Sequence, residues 1–337
     1  MTNKLNVGII GYGKMGRIRA RAMTEVGGAD ILAVYDPQND PSADGYTRAD
    51  SPEQVIGDPR IEAVFICTPN YFNKPLTILS LNAGKHVFCE KPPAFTAQDI
   101  RDVRLAEAAS GKKLMYGFNH RHHGSIKKAK ELVDSGEYGR VLWMRGRYGK
   151  SVDANFDSSW RAKKELAGGG ILIDQGIHML DLFLHFGGDF DVVQAIVQHR
   201  YWDLEIEDNV FAQFLNTRTG VAASLHSTML QWRHIFSLEI FLEKGHFVIN
   251  GLKTPSGTYG DEVLTVEHNL AQPPETRWDE PQRFAFPVDK SWNSEIEYFL
   301  NAISTGRRTT LGNSSDALKL MLIIDKIYNQ PLYEPPT

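Results

Sequence analysis

The sequence predicts two folded domains: an α/β domain with a doubly wound parallel sheet, then an α+β domain with a large, open, mainly antiparallel sheet. Three observations support this fold class. At 337 residues, the chain exceeds the size at which a single hydrophobic core stops growing. Strand-like and helix-like stretches alternate from residue 5 to about residue 120. Beyond residue 140, strand-like stretches follow one another through turns that carry Gly, Asn and Asp.

The first domain is predicted from short apolar runs that alternate with helical stretches. The helical stretches are Lys14–Val26, Lys74–Ala83 and Ala97–Ser110. The apolar runs read LNVGII, DILAVYD, IEAVFICTP, KHVFCEKPP and KLMYGFN. Nearly continuous apolar strands are typical of parallel sheets that helices cover on both faces. The pattern therefore predicts a Rossmann-type, dinucleotide-binding domain over residues 1–122.

The second domain is predicted over residues 123–312, with roles in substrate binding and oligomerisation. VLWMRGRYG predicts a strand and GGGILIDQGIHMLDLFLHF a helix, and five further strands follow as DVVQAIVQHRYW, NVFAQFLN, GVAASLHSTML, IFSLEIFLEKG and HFVING. The stretch Lys253–Pro287 is rich in Pro, Gly and charge, which predicts loop and sheet edge. Two helices near Trp292–Ser304 and Ser314–Tyr328 close the chain, and residues 313–337 are expected to pack back on the N-terminal domain.

Composition excludes several classes of function. The formal net charge is −4, whereas a nucleic-acid-binding protein would present a basic surface. No apolar run reaches the roughly 18 residues that a membrane span needs, and the N-terminal residues lead directly into a strand rather than a signal peptide. Cys67 and Cys89 are too few for a disulfide framework or a zinc knuckle. We therefore expect a cytoplasmic protein with no nucleic-acid or membrane partner.

The glycine-rich loop after the first strand is a candidate dinucleotide site. Gly11, Gly13 and Gly16 form G-x-G-x-x-G between a predicted strand and a predicted helix. The first glycine permits the turn, the second lets the main chain approach a pyrophosphate, and the third allows close packing of helix on strand. The residues between these glycines are also expected to contact the cofactor: Tyr12, Lys14 and Met15. The alternative is a plain turn between a strand and a helix.

Asp36 favours the dinucleotide interpretation and a choice of cofactor. It ends the second predicted strand, 36 − 16 = 20 residues after Gly16, which suits a carboxylate that accepts hydrogen bonds from the adenosine ribose. A carboxylate would also repel the 2′-phosphate of NADP. Neither Pro37 nor Gln38 supplies a cation to offset that repulsion. NAD is therefore the predicted cofactor, with NADP disfavoured.

Two segments carry side chains suited to chemistry. In CEKPP, Lys91 follows a predicted parallel strand at its C-terminal end, where ligands bind in open α/β sheets. A lysine desolvated there can share a proton with a substrate hydroxyl. The alternative is a surface lysine beside a turn, and Glu90 could equally anchor that turn. The proline pair that follows makes the Lys91–Pro92 bond a candidate for the cis form.

The second such segment is the predicted helix GGGILIDQGIHMLDLFLHF. Asp174, His178, Asp181 and His185 follow the spacing i, i+4, i+7 and i+11, which places them on one stripe of an otherwise apolar helix. A solvated face would use Lys and Glu, so the stripe predicts a buried helix that presents Asp and His to a polar cleft. Two alternatives remain, a metal site and a buried polar network with a structural role.

Together these motifs resemble the Gfo/Idh/MocA oxidoreductases. The resemblance rests on G-x-G-x-x-G, on Glu90-Lys91-Pro92 and on G-G-G-x-x-x-D-x-G-x-H-x-x-D between Gly168 and Asp181, with AGKHVFCEKP and GFNHR in addition. It spans nearly the whole chain. It implies an NAD(P)-dependent dehydrogenase with a Rossmann domain, and a C-terminal sheet that forms homodimer or homotetramer contacts.

The resemblance also implies site residues. The family's functional lysine corresponds to Lys91, and its Asp and His correspond to Asp174 and His178. Cofactor contacts are expected from Glu90 and Lys91 and from the loop Thr68, Pro69 and Asn70. Many members place a histidine where this chain has Asn73, so contacts to nicotinamide or substrate could differ slightly. Further candidate substrate contacts, each with a structural or surface role as the alternative, are Asn119, Arg121, Lys150, Trp160 and Arg161.

The predicted reaction is oxidation of a secondary alcohol on a sugar, polyol or nucleotide-linked sugar to a ketone, or the reverse. His178 would remove the hydroxyl proton while hydride passes to nicotinamide C4. Lys91 would donate a hydrogen bond to the oxygen as charge develops, and Asp174 would orient His178 or hold a neighbouring hydroxyl. No metal is expected. The alternatives are a glycosidase that retains NAD through oxidation, elimination and re-reduction, and a non-catalytic dinucleotide sensor.

Overall fold

The computed structural model of the chain describes residues 4–268 and 280–333, which fall into two compact units. Of these residues, the first unit contains 4–119, 165–168 and 291–322. The second contains 120–164, 169–268, 280–290 and 323–333. The functional domains drawn from the sequence, 1–122, 123–312 and 313–337, stay a prediction.

The first unit is built on a parallel sheet, as predicted. The strands of this sheet, among the described residues, are β1 (Leu5–Ile10), β2 (Ala29–Tyr35), β3 (Ala63–Ile66), β4 (His86–Glu90) and β5 (Leu114–Gly117). Their order is β2-β1-β3-β4-β5, and each neighbouring pair is parallel. The intervening helices are α1 (Lys14–Val26), α2 (Pro52–Gly57), α3 (Asn73–Asn82) and α4 (Ala97–Ser110). Strand order reverses at β1, which brings the ends of β1, β3 and β4 to the edge where such sheets bind ligands.

Local sequence signals explain why two predicted helices have the observed bounds. Helix α4 begins with a capping box, in which the Thr96 hydroxyl accepts from the Asp99 amide at 3.1 Å and the Asp99 carboxylate accepts from the Thr96 amide at 3.0 Å. It ends at Gly111, whose φ of 64° is the left-handed conformation that closes helices. Helix α1 likewise ends at a glycine, Gly27, with φ of 74°.

The second unit contains a mixed, mainly antiparallel sheet, which confirms the predicted fold class. Its strands in the described part of the chain are β6 (Val141–Gly149), β7 (Val192–Gln198), β8 (Asn209–Leu215), β9 (Ala222–Thr228), β10 (Ile235–Leu242), β11 (Gly245–Asn250), β12 (Glu262–His268), β13 (Gln282–Phe286) and β14 (Leu332–Tyr333). Their order is β13-β12-β11-β10-β6-β9-β8-β7-β14. The pairs β6–β9 and β7–β14 are parallel and the others antiparallel.

The helices outside the parallel sheet include the one that carries the polar stripe. They are α5 (Gly124–Asp134), α6 (Lys164–Ala167), α7 (Ile177–Gly187), α8 (Ser291–Ser304) and α9 (Ser314–Tyr328). A π-helical turn, Leu172–Gly176, leads directly into α7. Such turns occur frequently at functional sites. The core of the first unit includes Ile296 and Phe299 from α8, packed with Val7 and Ile9 from β1.

Two features of the structure differ from the sequence expectations. Within the stretch Lys253–Pro287, expected to form loop and edge, β13 is an edge strand as expected, whereas β12 is an interior strand. Residues 269–279 of this stretch lie outside the described residues. Helix α5 was not predicted, although Ile126, Ala129, Leu132 and Val133 recur at helical spacing in its sequence. No helix of the described residues has the length and apolar character needed to cross a membrane.

Candidate functional site

The first candidate site is the glycine loop between β1 and α1. Gly11 has φ of +92°, and a Cβ there would lie 2.5 Å from the Cys67 carbonyl oxygen. A Cβ on Gly16 would lie 2.1 Å from the Gly11 carbonyl oxygen, whereas a Cβ on Gly13 would meet no atom within 4 Å. Helix α1 begins at Lys14 with neither a side-chain cap nor an acidic residue in its first turn. The positively polarised helix end and the open space at Gly13 fit a pyrophosphate.

Asp36 lies beside this loop and holds it in place. Its Oδ2 accepts the Tyr12 amide at 2.6 Å, and its Oδ1 accepts the Gln38 amide at 2.8 Å and the Asn39 amide at 2.7 Å. Burial would raise the pKa of Asp36, but these hydrogen bonds outweigh it and hold the pKa below its usual value. Within the described chain, Oδ2 takes one of these bonds, so a lone pair is left for a ribose hydroxyl.

The other loop residues have mixed surroundings. The Tyr12 ring lies in the core of the first unit, and its hydroxyl donates to Asp44 at 2.8 Å. Burial and the Asp44 carboxylate raise the pKa of Tyr12. At the start of α1, Lys14 is exposed and Met15 half-buried. The main chain of the loop is therefore the part best placed to meet a cofactor.

Lys91 follows β4 at the C-terminal edge of the parallel sheet. The Lys91–Pro92 peptide bond is cis, as predicted. The preceding residue, Glu90, is buried, and its carboxylate accepts Arg19 Nε at 2.6 Å. Arg19 is fully buried and also donates through Nη1 to Glu295 at 2.5 Å. The arrangement supports the anchoring alternative for Glu90, and its cofactor contact stays a prediction.

Asn73 is the departure that the sequence flagged, and it lies against the main chain around Lys91. Its Nδ2 donates to the carbonyl oxygen of Glu90 at 3.1 Å and to that of Pro92 at 2.8 Å. Its Oδ1 accepts the Thr68 hydroxyl at 3.2 Å. The fully buried Asn73 side chain therefore links the Thr68 loop to both sides of Lys91.

Three further predicted residues occupy structural positions in the first unit. Pro69 precedes a 3₁₀ turn that begins at Asn70, and the side-chain Nδ2 of Asn70 donates to the Ala167 carbonyl at 2.8 Å. The buried Asn119 donates to the Ser291 hydroxyl at 3.1 Å. Their roles as cofactor or substrate contacts stay predictions.

In the second unit, several predicted substrate contacts gather around Asp174. Lys150 Nζ, at the end of β6, lies 2.6 Å from Asp174 Oδ2. Arg161 Nε lies 3.9 Å from Asp174 Oδ1, and its guanidinium stacks over the Trp160 ring at 4.4 Å. Asp174 itself belongs to the π-helical turn that precedes α7. The result is a partly buried carboxylate between two cations, beside an aromatic ring.

His178 lies on α7, with a second imidazole stacked on it. The His120 ring is 3.8 Å from the His178 ring at an interplanar angle of 18°. His120 Nε2 is 3.0 Å from the Tyr148 hydroxyl, and the Tyr148 ring is 5.4 Å from that of Tyr259. Burial raises the pKa of both tyrosines, and the negative charge of Asp174 adds to the effect. Both phenols therefore stay protonated at neutral pH and can donate hydrogen bonds.

Asp181, the third residue of the stripe, forms a buried ion pair with Arg121. Arg121 Nε donates to Asp181 Oδ2 at 2.7 Å, and Arg121 Nη2 donates to Asp181 Oδ1 at 2.6 Å. Both side chains are buried. The stripe thus divides into an upper part, Asp174 and His178, and a lower part, Asp181 and His185, of which Asp181 is paired with a buried arginine. The predicted substrate contact of Arg121 stays a prediction.

His185, the last residue of the stripe, gives a prediction about pH. Burial, together with the positive charge of Arg121, lowers its pKa from 6.5 to about 3. Below pH 6.5 the unfolded chain binds a proton that the folded chain does not, so stability should fall as pH decreases from about 6.5 to about 3. His185→Phe should make this fall shallower, as measured by urea unfolding at several pH values. An unchanged slope would contradict the assignment.

Sequence reasoning missed four residues of these sites: Arg19, His120, Tyr148 and Tyr259. His120 lies in NHRHH, where three histidines occur within four residues and nothing in the pattern marks the one that faces α7. Tyr148 had a signal in the sequence. Arg145 and Arg147 alternate with Met144, Gly146 and Tyr148, which is typical of a strand with one covered face, and Tyr148 lies on the side opposite the arginines. Among the described residues, no group of three or more His, Cys, Asp or Glu side chains is placed to hold a metal ion.

Comparison with known proteins gives the family. The profile of an oxidoreductase family's NAD-binding Rossmann fold matches residues 5–118, and that of the GFO/IDH/MocA C-terminal domain matches residues 126–248. Levoglucosan dehydrogenase of Pseudarthrobacter phenanthrenivorans is 32% identical over 211 residues, which are 57% of this chain and 54% of that protein. D-glucoside 3-dehydrogenase of Escherichia coli is 32% identical over 209 residues, 59% of this chain and 58% of that protein.

A solved structure extends the likeness along the chain. Aldose-aldose oxidoreductase from Caulobacter crescentus, crystallised with glycerol, superposes with a TM-score of 0.81 at 27% identity, covering 97% of each chain. The alignments to the two curated relatives, by contrast, span little more than half of those proteins. The two profiles match the glycine cradle of the first unit and the polar helix of the second. The chain belongs to the Gfo/Idh/MocA family of oxidoreductases.

Proposed function

We propose that the protein is an NAD-dependent dehydrogenase that oxidises a secondary alcohol of a sugar, polyol or nucleotide-linked sugar to a ketone, or catalyses the reverse. The observation that carries this proposal is the cluster around Asp174 and His178. It offers an imidazole, a carboxylate, two cations and two protonated phenols in a chain that also has a dinucleotide cradle. The names of the two curated relatives support a sugar or sugar derivative as the substrate class.

The proposed reaction divides the work among the chain's own residues. Bound NAD supplies the acceptor for hydride from the carbinol carbon. His178 takes the hydroxyl proton as the carbonyl forms, so that alcohol and NAD⁺ give ketone, NADH and one proton. Lys91 donates a hydrogen bond to the oxygen. Lys150 and Arg161, which bracket Asp174, offer donors for neighbouring sugar hydroxyls.

The test is a substrate screen that follows NADH absorbance. Levoglucosan, methyl glucosides, inositols and nucleotide sugars are each mixed with NAD⁺ and enzyme. NADH formation with at least one of them is the expected result. Release of a reducing sugar without net NADH would instead identify a glycosidase that retains NAD. No turnover and no product with any of them would favour the sensor alternative.

Asp36 carries a prediction about cofactor choice. The protein should bind NAD(H) more tightly than NADP(H), because the Asp36 carboxylate repels a 2′-phosphate. Asp36→Ala should weaken NAD binding by about 1–3 kcal/mol and narrow the preference. Because Asp36 also holds the Tyr12 amide, binding of both cofactors should decrease. Calorimetric titration with each cofactor measures this, and equal or tighter binding of NADP(H) by the unaltered protein would contradict it.

We also propose a homodimer or homotetramer formed through the open face of the mixed sheet. Strands β7 and β8 expose large apolar side chains on this face: Val192, Ile196, Phe211 and Leu215. Contiguous exposed apolar residues of this kind mark association surfaces. Sedimentation velocity is the test, and a monomer at micromolar concentration would contradict the proposal.

A further inference from the structure

The side chain of Asn73 makes an unusual set of contacts for the first residue of a helix. It is fully buried, and its amide nitrogen donates to the carbonyl oxygens of Glu90 and Pro92, at 3.1 and 2.8 Å. These two carbonyls belong to the residues on either side of Lys91. Its Oδ1 accepts the Thr68 hydroxyl at 3.2 Å, which fixes the direction in which the NH₂ group points.

A carboxamide suits this task better than other side chains of similar size. One –NH₂ group provides two hydrogens from a single atom, so it can serve two carbonyl oxygens that converge on it. Imidazole carries at most one hydrogen on each ring nitrogen, and the two point in different directions. A carboxylate would place negative charge against both carbonyl oxygens. The histidine that many family members carry at this position could not form the same pair of contacts.

The contacts bear on Lys91 because they fix its main chain. Strand β4 ends at Glu90, so Lys91 lies beyond the hydrogen-bonded ladder of the sheet. The peptide planes around it therefore depend on other partners. The Glu90 carboxylate is held by Arg19 at 2.6 Å, and its carbonyl is held by Asn73. The direction in which the lysine side chain leaves the main chain follows from these planes.

We propose that Asn73 is a positioning residue for Lys91, holding the main chain on both sides of the lysine so that its ammonium group meets the reacting oxygen. This inference rests on the proposed function, in which Lys91 donates to that oxygen. The Asn73 side chain is fully buried and presents no surface to a substrate or cofactor. In this proposal the effect of Asn73 on turnover passes through Lys91, which can be tested by comparing Asn73 variants with and without the lysine.

The experiment measures kcat and the Kd for NAD in the full-length protein. Asn73→Ala and Asn73→Asp are each introduced into the unaltered protein and into the Lys91→Ala variant. The assay uses NAD⁺ with whichever of levoglucosan or methyl glucoside gives NADH in the screen. In the unaltered background, kcat should fall about ten- to a hundredfold, the scale of a misplaced catalytic group, while the Kd for NAD changes little. In the Lys91→Ala background, the same substitution should change kcat by less than about twofold, since groups that act as a unit are not additive.

Lys74→Met is the matched control. Lys74 follows Asn73 on α3, but its ammonium group binds Asp99 and Asp102 of α4, each at 2.7 Å. Loss of these partly exposed ion pairs should leave kcat unchanged. If Asn73→Ala does not fold, as judged by circular dichroism, Asn73→Asp and Asn73→His take its place, because both keep a side chain of comparable reach.

The outcomes separate this inference from the function on which it rests. Equal losses in both backgrounds would show that Asn73 has a general structural role, and an unchanged kcat in the unaltered background would show that it has none; either overturns the inference. Full activity of Lys91→Ala would overturn the proposed role of the lysine itself. Loss of NAD binding in the Asn73 variants would point to the cofactor loop and also overturn the inference.

Discussion

His178→Ala should lower kcat by about 10²–10⁴-fold, the usual contribution of a general base. The same substitution should leave the Kd for NAD nearly unchanged. The reason is that the predicted cofactor contacts, the glycine loop and Asp36, belong to the first unit, whereas His178 lies on α7 in the second. Steady-state kinetics and titration with NAD measure the two quantities separately. Circular dichroism shows whether the variant is folded.

A second histidine on the same helix, His185, gives this prediction a control. His185 lies two helical turns further along α7, and its pKa of about 3 keeps it neutral at the pH of the assay. His185→Phe removes an imidazole from the same helix and should retain turnover. If His178→Ala also keeps most of its activity, the base lies elsewhere and Asp174 and His178 belong to a buried structural network.

The pH dependence of turnover adds a second test of the base. Oxidation should slow at acidic pH in the unaltered enzyme, because a protonated imidazole cannot accept the hydroxyl proton. The acidic limb should disappear from the residual activity of His178→Ala. A profile identical in shape to that of the unaltered enzyme would assign the limb to another group.

The sequence predicted those elements whose signals are local. Helices α1 and α4 have the predicted bounds, because a glycine ends each of them and a capping box begins α4. The mixed sheet followed from strand-like runs separated by turn residues. The polar stripe was found because Asp and His recur at helical spacing in an apolar segment. Each of these predictions rests on residues that lie within a single helix or strand and its flanking turns.

The features that the sequence did not predict depend on contacts between distant segments. Arg121 and Asp181 are 60 residues apart, and nothing in either segment names the other as its partner. Strand β12 was hidden in a stretch rich in Pro and Gly, yet its first residue, Glu262, binds the Ser125 amide of α5 at 2.8 Å. The π-helical turn at Asp174 shifts the start of the stripe away from regular helical spacing. Spacing alone therefore could not divide the stripe into its two parts.

That division leads to the second large effect, which concerns stability. Arg121→Met should lower the free energy of unfolding by about 3–5 kcal/mol, because it leaves the buried Asp181 carboxylate without its guanidinium. Asp181→Leu should lower the free energy of unfolding by a similar amount, because it leaves the buried Arg121 guanidinium without its carboxylate. The double variant Arg121→Met/Asp181→Leu should recover most of the loss, since apolar side chains of similar volume replace a buried ion pair at little cost. Urea unfolding of the unaltered protein, the two single variants and the double variant measures these free energies of unfolding.

Arg145 and Glu239 provide the matched pair for comparison. They also join an arginine to a carboxylate, with Arg145 Nη2 at 2.8 Å from both Glu239 oxygens, but the Arg145 side chain is 59% exposed. Arg145→Met should therefore cost less than about 1 kcal/mol. A loss as large as that of Arg121→Met would mean that burial is not the cause of the effect.

The activity of the double variant decides between the two interpretations of Arg121. If the arginine serves only to hold α7 through Asp181, the variant should regain both stability and kcat/KM, because the Asp174 and His178 positions are then restored. If Arg121 also contacts the substrate, stability should return while KM stays high, since methionine cannot donate to a sugar hydroxyl. We expect the first result, because both side chains are buried and the guanidinium binds both Asp181 oxygens, through Nε and Nη2. A KM that stays high in a stable double variant would return Arg121 to the substrate site.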